Sequence, residues 1–230
     1  MVLLGVLAGM GPLAGADFFR KLVEQTPSTA DQDHIPTVIF SLPQIPDRNE
    51  ALFGNGPDPF PALLDGVRRL VDAGAACIAM PCNSAHYWHA RLAAQVDVPF
   101  IHIAEAVIEK LAKVGKTGDR IGILGTELTL RTRIYQDRLV QAGFLPVVPA
   151  DMAQIMRGIR LIKAGRLGDA RRLLKVEEEN LLISGCSSVI LACTEIPIAL
   201  DIDHASPCSL DANRELANAC IAWFGKSNRK

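Results

Sequence analysis

Short apolar runs of strand length alternate along this chain with longer stretches of helical period. Residues 2–8, 76–80 and 188–192 are apolar at nearly every position. Strands of a parallel sheet are buried on both faces, so they read as continuous apolar runs rather than as alternating ones. The pattern therefore predicts repeated βα units around parallel sheets, which is the α/β class.

Periodicity also predicts the bounds of most elements. Pro12 stands where the first helical position favours proline, and Phe18, Phe19, Leu22 and Val23 form the predicted buried stripe of that helix. A second helix carries Leu63, Leu64, Val67, Leu70 and Val71 and ends before Gly74. Strands are predicted over residues 2–8, 37–42, 76–80, 100–103, 121–124, 145–148 and 188–192, and further helices over residues 152–163, 167–183 and 210–224 and from about residue 85.

The two halves of the chain follow similar patterns. Gly5 and Cys82 in the first half correspond to Gly122 and Cys193 in the second, at offsets of 122 − 5 = 117 and 193 − 82 = 111. Such similar offsets indicate two related units. We expect an N-terminal lobe of residues 1–104 plus about 206–230 and a C-terminal lobe of about 105–205.

The amino-acid composition indicates which kind of protein this is and which kind of partner it binds. Hydrophobic residues make up 49% of the 230 positions and charged residues 21%, which is typical of a globular chain. The formal net charge of −1 leaves no electrostatic footprint for nucleic acid or an anionic membrane, so a small-molecule partner is expected.

The charge pattern at the start of the chain, the length of its apolar runs and the spacing of its cysteines predict the cellular compartment. The uncharged stretch at residues 1–16 lacks a preceding basic region and is interrupted by Gly9, Gly11 and Pro12, so a buried strand explains it better than a signal peptide. No apolar run reaches the ~18 residues of a membrane span. Six cysteines without close regular spacing indicate reduced thiols. We expect a cytoplasmic protein.

Cys82 and Cys193 are the strongest candidates for reactive side chains. Each follows a predicted buried strand and precedes a polar turn and a helix. A helix N-terminus lowers the pKa of a thiol from its free value of about 8.5, and ligand sites gather at the carboxyl ends of parallel strands. Both thiols are therefore expected to face one cleft. The remaining cysteines are interpreted as small buried hydrophobes: Cys77, Cys186, Cys208 and Cys220.

Two other motifs permit weaker interpretations. Residues 9–14 fit the dinucleotide fingerprint, but the second strand ends in Ser41-Leu42-Pro43 without the acid that such a site requires. The glycines of this loop more plausibly let backbone N–H groups approach a small carboxylate. Cys82, His86 and His89 have spacings that can bind zinc, yet neither a fourth ligand nor a Cys-x-x-Cys motif accompanies them.

Two basic residues are candidates for holding a carboxylate. Arg48 follows Pro43-Gln44-Ile45-Pro46-Asp47 after the second strand, and Lys163 ends a predicted helix. Arginine can bind a carboxylate through two parallel hydrogen bonds, and lysine adds a compact charge. Both residues fit solvated surface positions equally well.

Taken together, these motifs resemble the aspartate/glutamate racemase family across nearly the whole chain. The matching stretches are Gly9-Met10-Gly11-Pro12, Pro43-Gln44-Ile45-Pro46-Asp47-Arg48, Pro81-Cys82-Asn83-Ser84-Ala85-His86 and Ala192-Cys193-Thr194-Glu195-Ile196-Pro197. The resemblance implies two pseudo-symmetric Rossmann-like lobes, each a parallel sheet flanked by helices, with the active site between them and commonly in a homodimer.

It also implies a reaction, the racemisation of an acidic amino acid without metal or cofactor. Cys82 and Cys193 resemble its acid/base pair. The positions that hold the substrate are then Met10, Gln44, Arg48, Asn83, Ser84, Lys163, Thr194 and Glu195. Of these, Asn83, Ser84 and Thr194 match residues that hold the α-carboxylate and amino group, and Arg48 and Lys163 match those that hold a distal carboxylate.

Aspartate is the expected substrate, because Glu195 stands where histidine usually follows Cys-Thr in cell-wall glutamate racemases. Glutamate or broad-specificity racemisation is the alternative, and related maleate isomerases, hydantoin racemases and arylmalonate decarboxylases match less well. A non-catalytic amino-acid-binding or thiol-redox module is a more distant possibility. Two departures from the family pattern are Ala8, where glycine is usual, and Gly15, where threonine is common.

Overall fold

The computed structural model describes residues 2–200 and 204–228. The chain divides into two compact units, one containing Met1–Ala106 and Asn213–Lys230 and the other Val107–Ala212. The strands are β1 (Leu4–Ala8), β2 (Thr37–Ser41), β3 (Cys77–Ala79), β4 (Arg120–Gly125), β5 (Leu145–Val147), β6 (Ser188–Ala192) and β7 (Ser209–Asp211). The helices are α1 (Pro12–Gln25), α2 (Arg48–Leu52), α3 (Phe60–Asp72), α4 (His89–Ala93), α5 (Ile103–Val114), α6 (Glu127–Arg131), α7 (Gln136–Gln141), α8 (Met152–Lys163), α9 (Leu167–Ile183), α10 (Ile196–Ala199) and α11 (Ala212–Ser227), with 3-10 turns at Asp31–Asp33 and Ser84–Trp88.

The first unit is built on a parallel sheet with strand order β2-β1-β3. Every residue of the central strand β1 is buried. Gly5 lets the chain around α3 approach this strand, since a Cβ there would lie 2.7 Å from Ala75 Cβ and 3.2 Å from Leu70 Cβ. The absent side chain thus sets the distance between helix and sheet.

The second unit has a four-stranded parallel sheet in the order β5-β4-β6-β7. Gly122 of β4 is equivalent to Gly5, since it lets α9 approach its strand. A Cβ at position 122 would lie 3.2 Å from Leu181 Cβ of α9. Apolar side chains of α8 and α9 pack with β4 and β6 in one core that includes Ile155, Ile159 and Leu174. Two parallel sheets flanked by helices confirm the predicted α/β class.

Several elements have the predicted bounds, and others differ for local reasons. α8, α9 and β6 begin and end where periodicity places them. The strand predicted at residues 100–103 is wrong: only Phe100 forms a bridge, to Ile78, and α5 already begins at Ile103. The ring nitrogen Nδ1 of His102 accepts a hydrogen bond from Ala104 N at 3.1 Å, so His102 starts a helix there instead of extending a strand.

The predicted stripe of α1 is half wrong. Phe18 and Leu22 are buried, whereas Phe19 and Val23 are 39% and 38% exposed. One residue corresponds to a rotation of about 100° along a helix, which takes positions 19 and 23 away from the buried face. The helix expected from about residue 85 is also divided, into the 3-10 turn Ser84–Trp88 and the short helix α4.

The C-terminal helix belongs to the first unit. Asn213, near the start of α11, donates from Nδ2 to Ala14 O and to Asp17 Oδ2, both at 3.1 Å. These bonds tie α11 to α1, which follows β1 directly. The sequence-based helix start at residue 210 was wrong, because Leu210 pairs with Ile190 in the short strand β7.

Over residues 2–200 and 204–228, none of the helices combines the length and the apolar character needed to cross a membrane.

Candidate active site

Each unit carries a cysteine at the same place relative to its own sheet. In the first unit, the β3 residue paired with Gly5 lies four positions before Cys82 (82 − 78 = 4). In the second, the β6 residue paired with Gly122 also lies four positions before Cys193 (193 − 189 = 4). Both cysteines therefore follow the carboxyl end of a strand that neighbours the central strand of their unit, where ligand sites of parallel sheets are found.

Cys82 lies in a short turn held by backbone and side-chain bonds. Its side chain is 3% exposed, and Cys82 N donates to Met80 O at 2.8 Å. The thiol sulfur lies 3.5 Å from Ser84 Oγ. His86 Nδ1 lies 2.8 Å from Cys82 O. The thiol is thus positioned on both sides, by the strand before it and by the 3-10 turn after it.

The His86 ring is a support for this turn. Its Nε2 accepts a hydrogen bond from Ile103 N at 3.1 Å, so Nδ1 carries the proton that is donated to Cys82 O. With both ring nitrogens engaged in this way, His86 does not fit the zinc-ligand role that its spacing permitted. Across the described ranges, no group of three His, Cys, Asp or Glu side chains is arranged to hold a metal ion.

Two more histidines pack around His86. The ring centroid of His102 lies 4.7 Å away and that of His89 5.5 Å away. His89 is half-buried rather than on the surface, with Nε2 2.9 Å from Phe100 O. Sequence reasoning missed His102, since nothing in its own neighbourhood distinguishes it.

Arg48 is buried, which decides against the surface interpretation. Only 8% of it is exposed, although it is the first residue of α2, and Asp47 caps that helix by accepting from Asn49 N at 2.8 Å. The guanidinium donates to the carbonyl oxygens of Ile45, Pro46 and Met10.

No side chain in the described part of the chain neutralises the charge of Arg48. Its Nε has no hydrogen-bond partner, and in the described part of the chain no carboxylate lies within ion-pair distance of its guanidinium. Buried charges are normally paired, so this guanidinium is suited to a carboxylate ligand.

The loop after β1 lies beside Arg48. Met10 is buried and offers its carbonyl to Arg48 Nη2 at 3.4 Å, whereas Gln44 is exposed. Gly9 has φ of 103°, and a Cβ there would lie 2.5 Å from the backbone of Leu42. Close backbone packing against the end of β2 therefore accounts for this glycine without a dinucleotide.

The two departures from the family pattern occupy one space. A Cβ added to Gly15 would lie 2.7 Å from the Cβ of Ala8. The methyl group of Ala8 thus fills the volume that a side chain at position 15 would need. We interpret the two departures as one compensated exchange rather than as two losses.

Cys193 directly follows β6, and its sulfur contacts a carboxylate. The thiol donates to Glu195 Oε2 at 3.1 Å, and Thr194 Oγ1 donates to the same oxygen at 3.4 Å. All three residues are buried, Cys193 being 5% exposed. Lys163, at the end of α8, is exposed and exerts an electrostatic effect on Cys193.

The sequence-based expectation of a lowered thiol pKa is wrong for Cys193. Burial raises the pKa of this thiol well above its ordinary value, and the charge and hydrogen bond of Glu195 raise it further, while Lys163 opposes the rise. The helix after it, α10, has only four residues and Glu195 as its N-cap. A helix this short has only a small dipole, and its N-cap residue is the acidic Glu195.

A buried tyrosine interacts electrostatically with Cys193. Tyr135 is fully buried, and burial raises its pKa; Arg138 lowers that pKa, and Asp211 and Cys193 raise it. Sequence reasoning missed Tyr135, since it precedes Cys193 by 58 residues (193 − 135) and carries no motif. Only the fold brings its ring into electrostatic range of the thiol.

The remaining predicted residues and cysteines are placed as follows. Asn83 and Ser84 are buried beside Cys82. All six cysteines are free. Cys77, Cys186 and Cys220 are buried, as small hydrophobes should be, and burial raises the pKa of Cys77 to about 12. Cys208 is exposed, so its assignment as a buried hydrophobe is wrong.

Comparison with known proteins identifies a matching family and three similar proteins. Residues 7–220 match the family described as Asp/Glu/hydantoin racemase. The structure of Picrophilus torridus aspartate racemase superposes with a TM-score of 0.89 at 30% identity, covering 98% of this chain and 95% of that one. A broad-specificity amino-acid racemase of Bacillus subtilis is 25% identical, over 96% of this chain and 98% of its own length. An aspartate racemase homologue from Pyrococcus horikoshii shares the fold, with 24% identity, a TM-score of 0.75 and coverage of 98% and 100%.

Proposed function

Because this chain belongs to the Asp/Glu/hydantoin racemase family and is an amino-acid racemase, we propose that it interconverts L- and D-aspartate by means of two cysteines. The observation that carries the proposal is the strand–turn–cysteine arrangement built twice, with Cys82 and Cys193 at the same register position in their units. Racemisation requires one group that removes the α-proton and a second that supplies a proton to the opposite face. Two equivalent thiols meet this requirement.

In the proposed reaction, one cysteine begins as a thiolate and the other as a thiol. The thiolate takes the α-proton, and the thiol delivers its own proton to the other face of the α-carbon. The roles are exchanged when the opposite enantiomer reacts. No metal or organic cofactor takes part in this scheme, because acid and base are both side chains.

The α-proton is a very weak acid, so the site must stabilise the charge that develops on the α-carboxylate. In the proposal, Asn83, Ser84 and Thr194 hold this carboxylate and the amino group, since they are buried donors directly beside the two thiols. Met10, Gln44 and Glu195 stay predicted neighbours of the substrate.

Arg48 supports an acidic substrate. Its buried guanidinium, which no carboxylate among the described residues neutralises, is suited to the distal carboxylate of aspartate, with Lys163 as the second cation in the proposal. The Picrophilus torridus relative is named an aspartate racemase, which agrees with this choice. Glutamate and a broad range of amino acids are the alternatives that the assay distinguishes.

The test is a chiral assay in heavy water. Purified protein, treated with a chelator and dialysed, is incubated with L-aspartate, L-glutamate or L-alanine. The two enantiomers are then separated, and the deuterium content of each is measured by mass spectrometry. We expect D-aspartate to form, with deuterium in the product while recovered substrate initially keeps its proton. Formation of product only after a cofactor is added back would contradict the proposal.

Variants connect the reaction to the two thiols. C82A, C193A, C82S and C193S are each expected to lose at least ~10³-fold in kcat, because a hydroxyl or methyl group supplies neither the base nor the acid near neutral pH. C208S is the matched control, since Cys208 is an exposed cysteine, and it should keep the wild-type rate. If folded C82A and C193A racemise aspartate near that rate, the two-thiol reaction is wrong.

A further inference from the structure

The sulfur of Cys193 is in hydrogen-bond contact with a carboxylate, that of Glu195, at 3.1 Å. We propose that the Glu195 carboxylate keeps Cys193 protonated in the free enzyme, so that Cys193 is the resting acid and Cys82 the resting base. The inference rests on the two-thiol reaction proposed above and adds to it a positioning residue that assigns each thiol its starting role.

The contact itself determines where the proton lies. The Cys193 sulfur is 3.1 Å from Glu195 Oε2, and both residues are buried. The pKa of a carboxylic acid is ordinarily about four units below that of a thiol. In such a pair the proton therefore stays on sulfur, and the carboxylate accepts a hydrogen bond from the thiol. Ionising the thiol would place two negative charges against each other in a poorly solvated site, which is unfavourable.

Some neighbouring groups favour and others oppose ionisation of the Cys193 thiol. Thr194 Oγ1 donates to Glu195 Oε2 at 3.4 Å, so the oxygen that contacts the Cys193 sulfur accepts a second hydrogen bond. Lys163 on α8 attracts the thiolate form of Cys193 and opposes Glu195. Tyr135, which directly precedes α7, interacts electrostatically with Cys193, and also with Arg138 and Asp211. Because burial and Glu195 outweigh Lys163, the pKa of the Cys193 thiol is raised.

Cys82 has no comparable neighbour. Its sulfur lies 3.5 Å from Ser84 Oγ, and among the residues described no acidic side chain is within hydrogen-bonding distance of it. The two thiols are buried to nearly the same extent, 3% and 5% exposed. Burial raises the pKa of the Cys193 thiol first, and the carboxylate in contact with its sulfur adds to that rise.

The first turnover then has a defined proton balance. Cys82 thiolate takes the α-proton and becomes a thiol, and the electron pair of the broken C–H bond moves into the α-carboxylate. Cys193 delivers its proton to the opposite face of the α-carbon, where that pair forms the new C–H bond, and Cys193 becomes a thiolate. The resting state returns when Cys82 releases a proton to solvent and Cys193 takes one up.

The test measures thiol ionisation directly. Wild type, E195Q and E195D are alkylated with iodoacetamide between about pH 6 and 10, and the rate at each cysteine is read by mass spectrometry of its peptide. In wild type, the midpoint of the rate against pH should lie higher for Cys193 than for Cys82. In E195Q, the Cys193 midpoint should fall by at least about one pH unit, since a neighbouring charge shifts a pKa by about one to three units.

The controls separate charge from loosened packing. E195D retains a carboxylate and should leave the Cys193 midpoint high, and the Cys82 midpoint should be the same in all three proteins. Exposed Cys208 serves as the internal reference for reagent and pH. An unchanged Cys193 midpoint in E195Q, or equal shifts of both cysteines in E195Q and E195D, would overturn the proposal.

Activity is measured separately on the same proteins. If wild type does not racemise any amino acid, the proposed function fails, while the alkylation midpoints still decide the role of Glu195. If wild type racemises aspartate but E195Q leaves the midpoint unmoved, only the role of Glu195 is wrong.

Discussion

Arg48 is the single residue on which substrate choice most depends. Its guanidinium is buried, bonded only to carbonyl oxygens, and has no carboxylate partner within the described ranges. R48A should lower kcat/KM for aspartate by about ten- to hundredfold, because a charge-assisted bond contributes about 1.5–3 kcal/mol. Turnover of alanine, which has no distal carboxylate, should change much less.

The control for R48A is R69A in the same unit. Arg69 is exposed and pairs with Asp65 at 2.7 Å, so its removal should leave both substrates unaffected. Chiral assays of the two variants with both amino acids measure the selectivity. An equal loss for aspartate and alanine in R48A would mean that Arg48 supports the fold or general catalysis instead.

Ala8 and Gly15 make a second prediction at the scale of residues. G15T alone should destabilise the protein by about 1–3 kcal/mol, because the new Cβ would lie 2.7 Å from Ala8 Cβ in a packed interior. The double variant A8G/G15T removes the clash and should recover most of that loss. Urea unfolding of the two single variants and the double variant measures the coupling free energy, and strictly additive effects would show that the exchange is not compensated.

At the scale of elements, one ionic cluster attaches the C-terminal helix α11 to α1. Asp17 pairs with buried Lys21 at 2.5 Å and accepts a hydrogen bond from Asn213. Burial by itself would raise the pKa of Asp17, but the charge and hydrogen bond of Lys21, with bonds from Arg20 and Asn213, outweigh it and hold that pKa below 3.8. The carboxylate therefore stabilises the fold at pH above that value, and its contribution is lost as the pH falls through the folded-state pKa.

This cluster predicts a pH-dependent effect of D17N. The variant should lower the melting temperature at pH 7, where it removes the Asp17 carboxylate from its contact with buried Lys21, and the difference from wild type should shrink near pH 3. D65N is the control, since Asp65 forms an exposed pair, and it should have little effect at either pH. A D17N difference that is the same at pH 7 and pH 3 would contradict the proposed electrostatic origin.

The predicted bounds of helices and strands are correct where the periodic pattern extends over many residues and wrong where it covers only a few. α9 has 17 residues and was predicted in full, whereas β7 has three, too few for alternation to show. At residues 100–103 a strand was predicted, but the hydrogen bond from Ala104 N to the His102 ring makes this segment the start of a helix. Short segments take their structure from neighbours that are distant in sequence.

At the scale of the whole molecule, the two units repeat the same helix ending. Gly74 after α3 and Gly185 after α9 both have φ of 91°, and each precedes its cysteine by eight residues (82 − 74 = 193 − 185 = 8). The following amides, Ala75 N and Cys186 N, donate to Leu70 O and Leu181 O. This is the left-handed helix ending that glycine favours.

The repetition predicts two equal and independent effects. G74A and G185A should each destabilise the protein by about 1 kcal/mol, because alanine is strained at positive φ, although no backbone atom crowds a Cβ at either position. G168A in α9, where a Cβ meets nothing within 4 Å, should be neutral or stabilising. Denaturant unfolding of the three variants provides the comparison, and a large difference between G74A and G185A would show that the endings are not equivalent.

The sequence by itself determined the α/β class, the longer helices and strands, the family, and the two cysteines as candidates. These features depend on residues near one another in the chain: apolar periodicity selects helix or strand, and each cysteine follows its strand directly. Only the tertiary structure decided that Arg48 is buried with no carboxylate beside it among the described residues, that Ala8 occupies the space beside Gly15, and that Cys193 has a raised pKa. Burial, close approach and electrostatic energy depend on distances between groups and on the exclusion of water, which are established only when distant parts of the chain pack together.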